Sequence, residues 1–217
     1  MATTASPYGL KPINLIGGQA FNGGVIREIP LTAATNLPIY NGDVVRISGG
    51  VIQVQNSSPT NATTGVLGVC VGVRYQLASQ QLGYPLYAQY LPANVIGSGF
   101  TNVFVRVMDD PDCLFQVQAS GSVNSSSIGF NAQLGNYGAG TSSTTGNTST
   151  GNSIINLLQT SISNAAANST YAVRIVDLVN DTSTFGGNFP SNPGDAYTDC
   201  IVKFNFGVHS YYNAIPS

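Results

Sequence analysis

The chain has 217 residues, 42% hydrophobic and only 7% charged, with seven Lys or Arg, nine Asp or Glu, one histidine and a formal net charge of −2. That length supports one large β domain or two small ones with a real core, and the apolar content excludes wholesale disorder. The charge is far below the roughly one quarter of an ordinary soluble domain, and no two basic residues are sequence neighbours, which argues against a nucleic-acid partner because phosphate affinity needs clustered Lys and Arg.

Residues 1–24, "MATTASPYGLKPINLIGGQAFNGG", hold two prolines and five glycines, and no period of 2 or 3.6 survives them. They also carry Tyr8, Leu10, Ile13, Leu15, Ile16 and Phe21, too apolar for a solvated linker. The segment reads as an extended arm that orders against another surface, its own body or a neighbour's. The remainder, 25–217, reads as an all-β body of compact barrel-like or sandwich-like form, divisible into lobes 25–108 and 109–217. "VIREIPL", "LPIYNGDVVRIS" and "VIQVQ" are strands punctuated by the tight-turn pairs Asn41-Gly42 and Gly49-Gly50. In "GVLGVCVGVRYQL" the spaced Gly65, Gly68 and Gly72 predict a bent or bulged strand. "PLYAQYL" and "NVFVRVM" continue the β pattern. Residues 138–153, "GAGTSSTTGNTSTGNS", read as a flexible polar loop, and "IINLLQTSI" fits either a short helix or an apolar strand. "YAVRIVDLV" and "CIVKFNFGV" are strands by alternation, separated by a long loop.

The inventory for chemistry is short. His209 is the sole histidine and Glu28 the sole glutamate. On a regular strand Cys200 and His209 take opposite faces, which precludes a Cys-His pair there. Cys70, Cys113 and Cys200 lie among apolar residues without CxxC spacing, so buried thiols are expected rather than a disulfide scaffold or a zinc site. The glycine-rich pieces lack the Lys-Ser/Thr of a phosphate loop. Six Asn-x-Ser/Thr sequons, at Asn56, Asn61, Asn124, Asn147, Asn168 and Asn180, follow from a composition saturated in those residues. The amino terminus shows no basic segment followed by an apolar run, and no run reaches membrane-spanning length, so neither a secretory signal nor a membrane partner is expected.

The densest charge is in "VMDDPDCLFQVQ", where Asp109, Asp110 and Asp112 precede Cys113. Three carboxylates suit a hard cation, yet Asp-Asp-Pro-Asp has the short acceptors and fixed φ of a turn. From Cys113 onward the residues alternate as a strand, with Cys113, Phe115, Val117 and Ala119 on one face. The turn reading leads, and a cation site would need Asp43, Asp177 or Asp181 brought up by folding. The expectation is no enzyme, no catalytic or metal-ligating residue and no cofactor.

Taken as a set, "ASPYGLKPINLIGG", "YNGDVVRISGG" with "GVLGVCVGVRY", and "DDPDCLFQVQASGSVNSSSIGFNAQL" with "TGNSIINLL" resemble the head decoration, or cement, proteins of tailed bacteriophages, notably those of aquatic bacteria. The resemblance spans nearly the whole chain. It implies a non-catalytic virion protein, made in the host cytoplasm, that binds the outer surface of the capsid between capsomers, with the major capsid protein and itself, as a homotrimer, for partners. Tyr8, Leu10, Lys11, Pro12 and Phe21 are then the expected contacts, with Tyr211 and Tyr212 in "HSYYNAIPS" a second segment, since tyrosine joins an apolar body to a hydrogen-bonding tip. The competing readings are a host-attachment or carbohydrate-binding module, which needs an exposed aromatic platform, and a tail or neck component, which differs in copy number.

Overall fold

The computed structural model describes residues 4–16, 26–31, 38–48, 51–55, 66–79, 83–94, 99–136, 146–164, 170–179 and 196–205. The protein is all-β. Two antiparallel sheets account for most of it, and two short ladders and two 3-10 turns make up the remaining regular structure among the described residues.

The first sheet is built from β2 (Ile26–Pro30), β3 (Val44–Ser48), β4 (Val51–Val54), β5 (Gly68–Leu77), β6 (Leu86–Ala88) and β7 (Phe100–Met108). Its order is β2-β7-β5-β3-β4, with β6 paired to β5 beside β3. Alternation explains the fold of these segments: Val103, Val105 and Val107 face inward with Val45, Val73 and Cys70, and together with Ile39, Ile52 and Leu91 they form a core within this sheet. The sheet curls around that core until its outer strands β2 and β4 lie alongside each other. The bend comes from β5, whose register shifts between Cys70 and Gly72, the latter at φ +133°. Gly68 lets β7 come close, because a Cβ there would stand 2.2 Å from the Met108 carbonyl oxygen.

The second sheet has the order β1-β8-β15-β14-β9, from β1 (Lys11–Leu15), β8 (Cys113–Gln118), β15 (Asp199–Phe204), β14 (Val173–Leu178) and β9 (Asn131–Ala132). Cys113, Phe115 and Val117 on β8 and Cys200 and Val202 on β15 point inward, as their alternation predicts. The chain changes sheet between β1 and β2, and returns to the second sheet through a tight corner, Asp109–Asp112, between β7 and β8. From β2 onward the strands divide between the sheets near residue 109, and the two sheets share a core. Val44, Val69 and Met108 of the first share one core with Phe115, Val173 and Val202 of the second.

Over residues 4–16 the amino-terminal segment orders against the chain's own body, one of the two surfaces its reading allowed. β1 is the edge strand of the second sheet, paired antiparallel with β8 from Lys11↔Gln116 to Leu15↔Cys113, with a bulge between Pro12 and Asn14. Leu10 is 0% exposed and lies in the shared core. The physical reason is a backbone junction. Gly9 and Gly42 sit at φ +77° and +91°, and a Cβ on Gly9 would meet the Gly42 oxygen at 2.8 Å. Leu10 N donates to Gly42 O at 3.0 Å, and Gly42 N donates to Cys70 O at 2.8 Å.

A third segment joins this junction. β11 (Gly146–Asn147) and β12 (Asn152–Ser153) form a hairpin inside the tract read as a flexible loop. Asn147 builds its turn, accepting Ser149 N on Oδ1 and Gly151 N on its carbonyl. Asn41 N then donates to Gly151 O at 3.0 Å and Ser153 N to Asn41 O at 2.8 Å. "IINLLQTSI" resolves into β13 (Asn156–Leu157), paired with β10 (Leu134–Gly135), and a 3-10 turn at Gln159–Ser161. The Gly49-Gly50 turn, Gly65 and residues 137–145 lie outside the described residues.

Because Leu10 is core, Leu10→Ala is expected to lower the unfolding free energy by roughly 2–5 kcal/mol. Urea denaturation checks this, and an unchanged midpoint would return Leu10 to the surface.

Candidate interaction surface

The Asp109–Asp112 corner disperses its carboxylates instead of gathering them. Asp109, almost fully buried, pairs with Arg27 on β2. Asp110 accepts the backbone N of Asp112 on its side chain at 2.8 Å and that of Cys113 on its carbonyl at 3.1 Å, which closes the turn around Pro111. Asp112 pairs with Lys203 of β15 at 2.9 Å, and its carbonyl takes Ile16 N at the end of β1. The two outer aspartates are thus each tied to the sheet on their own side. Of the aspartates that folding could have added, Asp43 is buried in the Tyr40–Asp43 corner and accepts Tyr40 N on Oδ2, while Asp177 stands on β14 and accepts Leu178 N. Asp181 lies outside the described residues. Among the described residues no three His, Cys, Asp or Glu side chains converge to hold a metal ion.

The three thiols are buried and unbonded to one another. Burial pushes each up to about 12, with the carboxylates of Asp43, Asp110 and Asp199 adding smaller upward pressure at Cys70, Cys113 and Cys200 respectively. A thiol held neutral is neither a nucleophile nor a ligand at ordinary pH. His209 lies outside the described residues.

The expected partner contacts separate into three groups. Leu10 is corrected to a core residue, fully enclosed and unavailable to a partner. Tyr8 and Lys11 lie along the outer side of the second sheet, and Pro12, opposite Phe115 in register, faces its inner side. The Tyr8 hydroxyl donates to Asp199 Oδ1 at 2.9 Å, and burial, reinforced by that carboxylate, holds the phenol well above the usual tyrosine range. Exposed Lys11 rests its ammonium 4.9 Å from the Tyr8 ring centroid, and Pro12 is half-buried on the edge strand, where it removes an N–H that another chain could pair. Phe21, Tyr211 and Tyr212 lie outside the described residues.

A different surface escaped the sequence reading. Tyr84 and Tyr87, just before and within β6, are 64% and 63% exposed, the most open large hydrophobic side chains among the described residues. Registers place Tyr87 opposite Arg74, Arg74 opposite Phe104, and Arg106 opposite both Gly72 and Glu28. The Arg74 guanidinium lies 4.2 Å from the Phe104 centroid and its Nε reaches Glu28 Oε2 at 2.7 Å. Arg106 crosses β5 where Gly72 lacks a side chain and stands 5.8 Å from the Tyr87 centroid. This ladder of arginines on aromatic rings is the most chemically marked exposed patch among the described residues. The only sequence signal for it was the pairing of Tyr with Arg in neighbouring β segments.

No helix among the described residues is long and apolar enough to cross a membrane. Comparison with known proteins yields no match to a family model, a curated protein or a solved structure.

Two outcomes follow. Calcium or a chelator is expected to leave the melting temperature unchanged, in the parent and with Asp109, Asp110 and Asp112 all replaced by Asn; a calcium-dependent rise lost in that variant would restore the cation site. Thiols whose folded pKa lies near 12, against an ordinary 9.0, favour the folded state fully below about pH 9 and lose that contribution as pH climbs toward 12. Melting midpoints are therefore expected to hold up to about pH 8 and to fall beyond about pH 9. Replacing all three cysteines by Ala should delay the fall until the tyrosines ionise. An equally early fall in that variant would remove the thiols as its cause.

Proposed function

We propose that this protein is a structural component of a tailed-phage virion that binds the outer surface of the capsid and reinforces the joints between capsomers. The observation that carries the reading is how the ionisable groups are placed. Arg27–Asp109, Arg74–Glu28 and Lys203–Asp112 are clips within the chain, Asp199 is bonded to Tyr8, and the thiols are sealed in cores. These groups hold the body together and are few and mostly paired, which leaves a low net charge suited to dense packing of identical copies with little repulsion. The phrase-level resemblance to cement proteins points the same way.

An outer position fits better than an inner one. A protein lining a filled head faces DNA and calls for clustered cations. Here the seven basic residues are separated along the chain and three hold carboxylates. The partners in this reading are the major capsid protein and further copies of the chain, as a homotrimer. Each joint gains a modest buried area, multiplied over many copies.

One observation favours a second reading, a host-attachment module that binds carbohydrate: the exposed Tyr84 and Tyr87 are aromatic rings of the kind a sugar platform requires.

The test is reconstitution. Purified protein is added to heads assembled without it, from the phage that encodes it, and bound copies and the rupture temperature of the heads are measured. Saturable binding at hundreds of copies with a raised rupture temperature is the expected result. Stoichiometry below a few dozen copies would move the protein to the tail or neck, and saturable glycan binding without head binding would favour the second reading. Deleting residues 1–24 is not a usable variant, because it removes β1 and Leu10 from the folded body.

A further inference from the structure

One face of the first sheet is only partly covered. The row Ile26, Met108 and Val69 packs into the core shared with the second sheet. Farther along the same strands come Glu28, Arg106 and Gly72, then Pro30, Phe104, Arg74 and Tyr87, and these rows stand outside that core. The overhang is ordered before anything binds it, since Arg74 is fixed between Phe104 and Glu28 while Arg106 rests on Tyr87.

Arg106 differs from the other arginines nearby. Arg27 and Arg74 each hold a carboxylate, whereas the Arg106 guanidinium makes no ion pair among the described residues. With Glu28 offsetting Arg74, the patch carries one positive charge without an ion pair among the described residues, beside the exposed Tyr87. A guanidinium parked on a ring has given up rotamer freedom in advance, so engaging a carboxylate there costs little further ordering. Tyrosine with arginine is also the composition of interface hot spots. Curvature selects the class of partner. The sheet curls around its own core on the opposite face, so this face is convex, while sites for small ligands are concave.

We propose that the β6–β7 face, centred on Arg106 and Tyr87 with Tyr84 at its margin, is the surface that docks onto a protein presenting a carboxylate beside an apolar side chain. The inference rests on the head-binding reading, in which that partner is the outer shell of the capsid.

Heads assembled without the protein serve as the probe, and binding isotherms are measured for the parent, Tyr84→Ala, Tyr87→Ala, Arg106→Gln and, as a control on the other sheet, Arg174→Gln. Tyr87→Ala and Arg106→Gln are each expected to weaken binding by about tenfold or more, with unchanged melting for the exposed tyrosine variants. Parent affinity should fall as salt rises, and Arg106→Gln should flatten that dependence while Arg174→Gln leaves it intact. Parent binding with Tyr87→Ala and Arg106→Gln indistinguishable from it keeps the function and overturns this surface. A parent that ignores heads removes the functional reading and this partner with it. If such a protein instead binds a glycan on an array, and Tyr87→Ala abolishes that, the face belongs to a sugar and the proposal is overturned.

Discussion

The contact between Gly9 and Gly42 sets how the two sheets meet. Neither residue tolerates a side chain there. A Cβ on Gly9 would stand 2.6 Å from Ser153 Cβ, and one on Gly42 would stand 3.0 Å from Gly9 Cα. Both occupy left-handed backbone that other residues adopt at a cost of roughly 1–2 kcal/mol. Through this point the amino-terminal segment, the entrance to β3 and the hairpin at 146–153 are bonded backbone to backbone. Leu10 then falls between the sheets, and Val44, Val69 and Met108 close around it in the common core. Buried peptide groups demand partners, and here they find them in loops as well as in ladders.

Charge has an unusual role in a molecule with so little of it. Each ion pair links strands or corners that are remote in sequence: Arg27 to Asp109, Arg74 to Glu28 and Lys203 to Asp112. Exposed pairs contribute little to stability. Their greater effect is orientation, clearest at the corner between β7 and β8, where one carboxylate is held by each sheet. Asp-Asp-Pro-Asp sets the direction in which the chain leaves one layer and enters the next.

The strands of both sheets were legible wherever alternation was clean. In β7 and β8, Val103, Val105, Val107, Phe115 and Val117 face inward as their spacing says, and the bulge in β5 was signalled by Gly72. β1 was hidden because Pro12 and the bulge beside it break the period of two, and its pairing is set by tertiary contacts of Gly9 and Leu10. The 146–153 hairpin was hidden for another reason. It is held by amide side chains and backbone bonds with no apolar alternation to mark it. Beyond Tyr and Arg in neighbouring β segments, nothing in the chain marks the Arg106–Tyr87 surface, since a strand's period gives two faces without saying how far a second sheet extends over one of them.

The membership of β1 also bears on how the molecule is made. The strands of the first sheet leave the ribosome in one unbroken block, ending at Met108. β1 emerges before them yet can pair only with β8, about a hundred residues later. Vectorial synthesis therefore leaves the first-born strand waiting beside an already curled sheet. Closing so long a loop carries an entropic cost that nearby pairings avoid. The amino-terminal strand thus waits for β8 while the whole first sheet is made, and the glycine junction is where it is received.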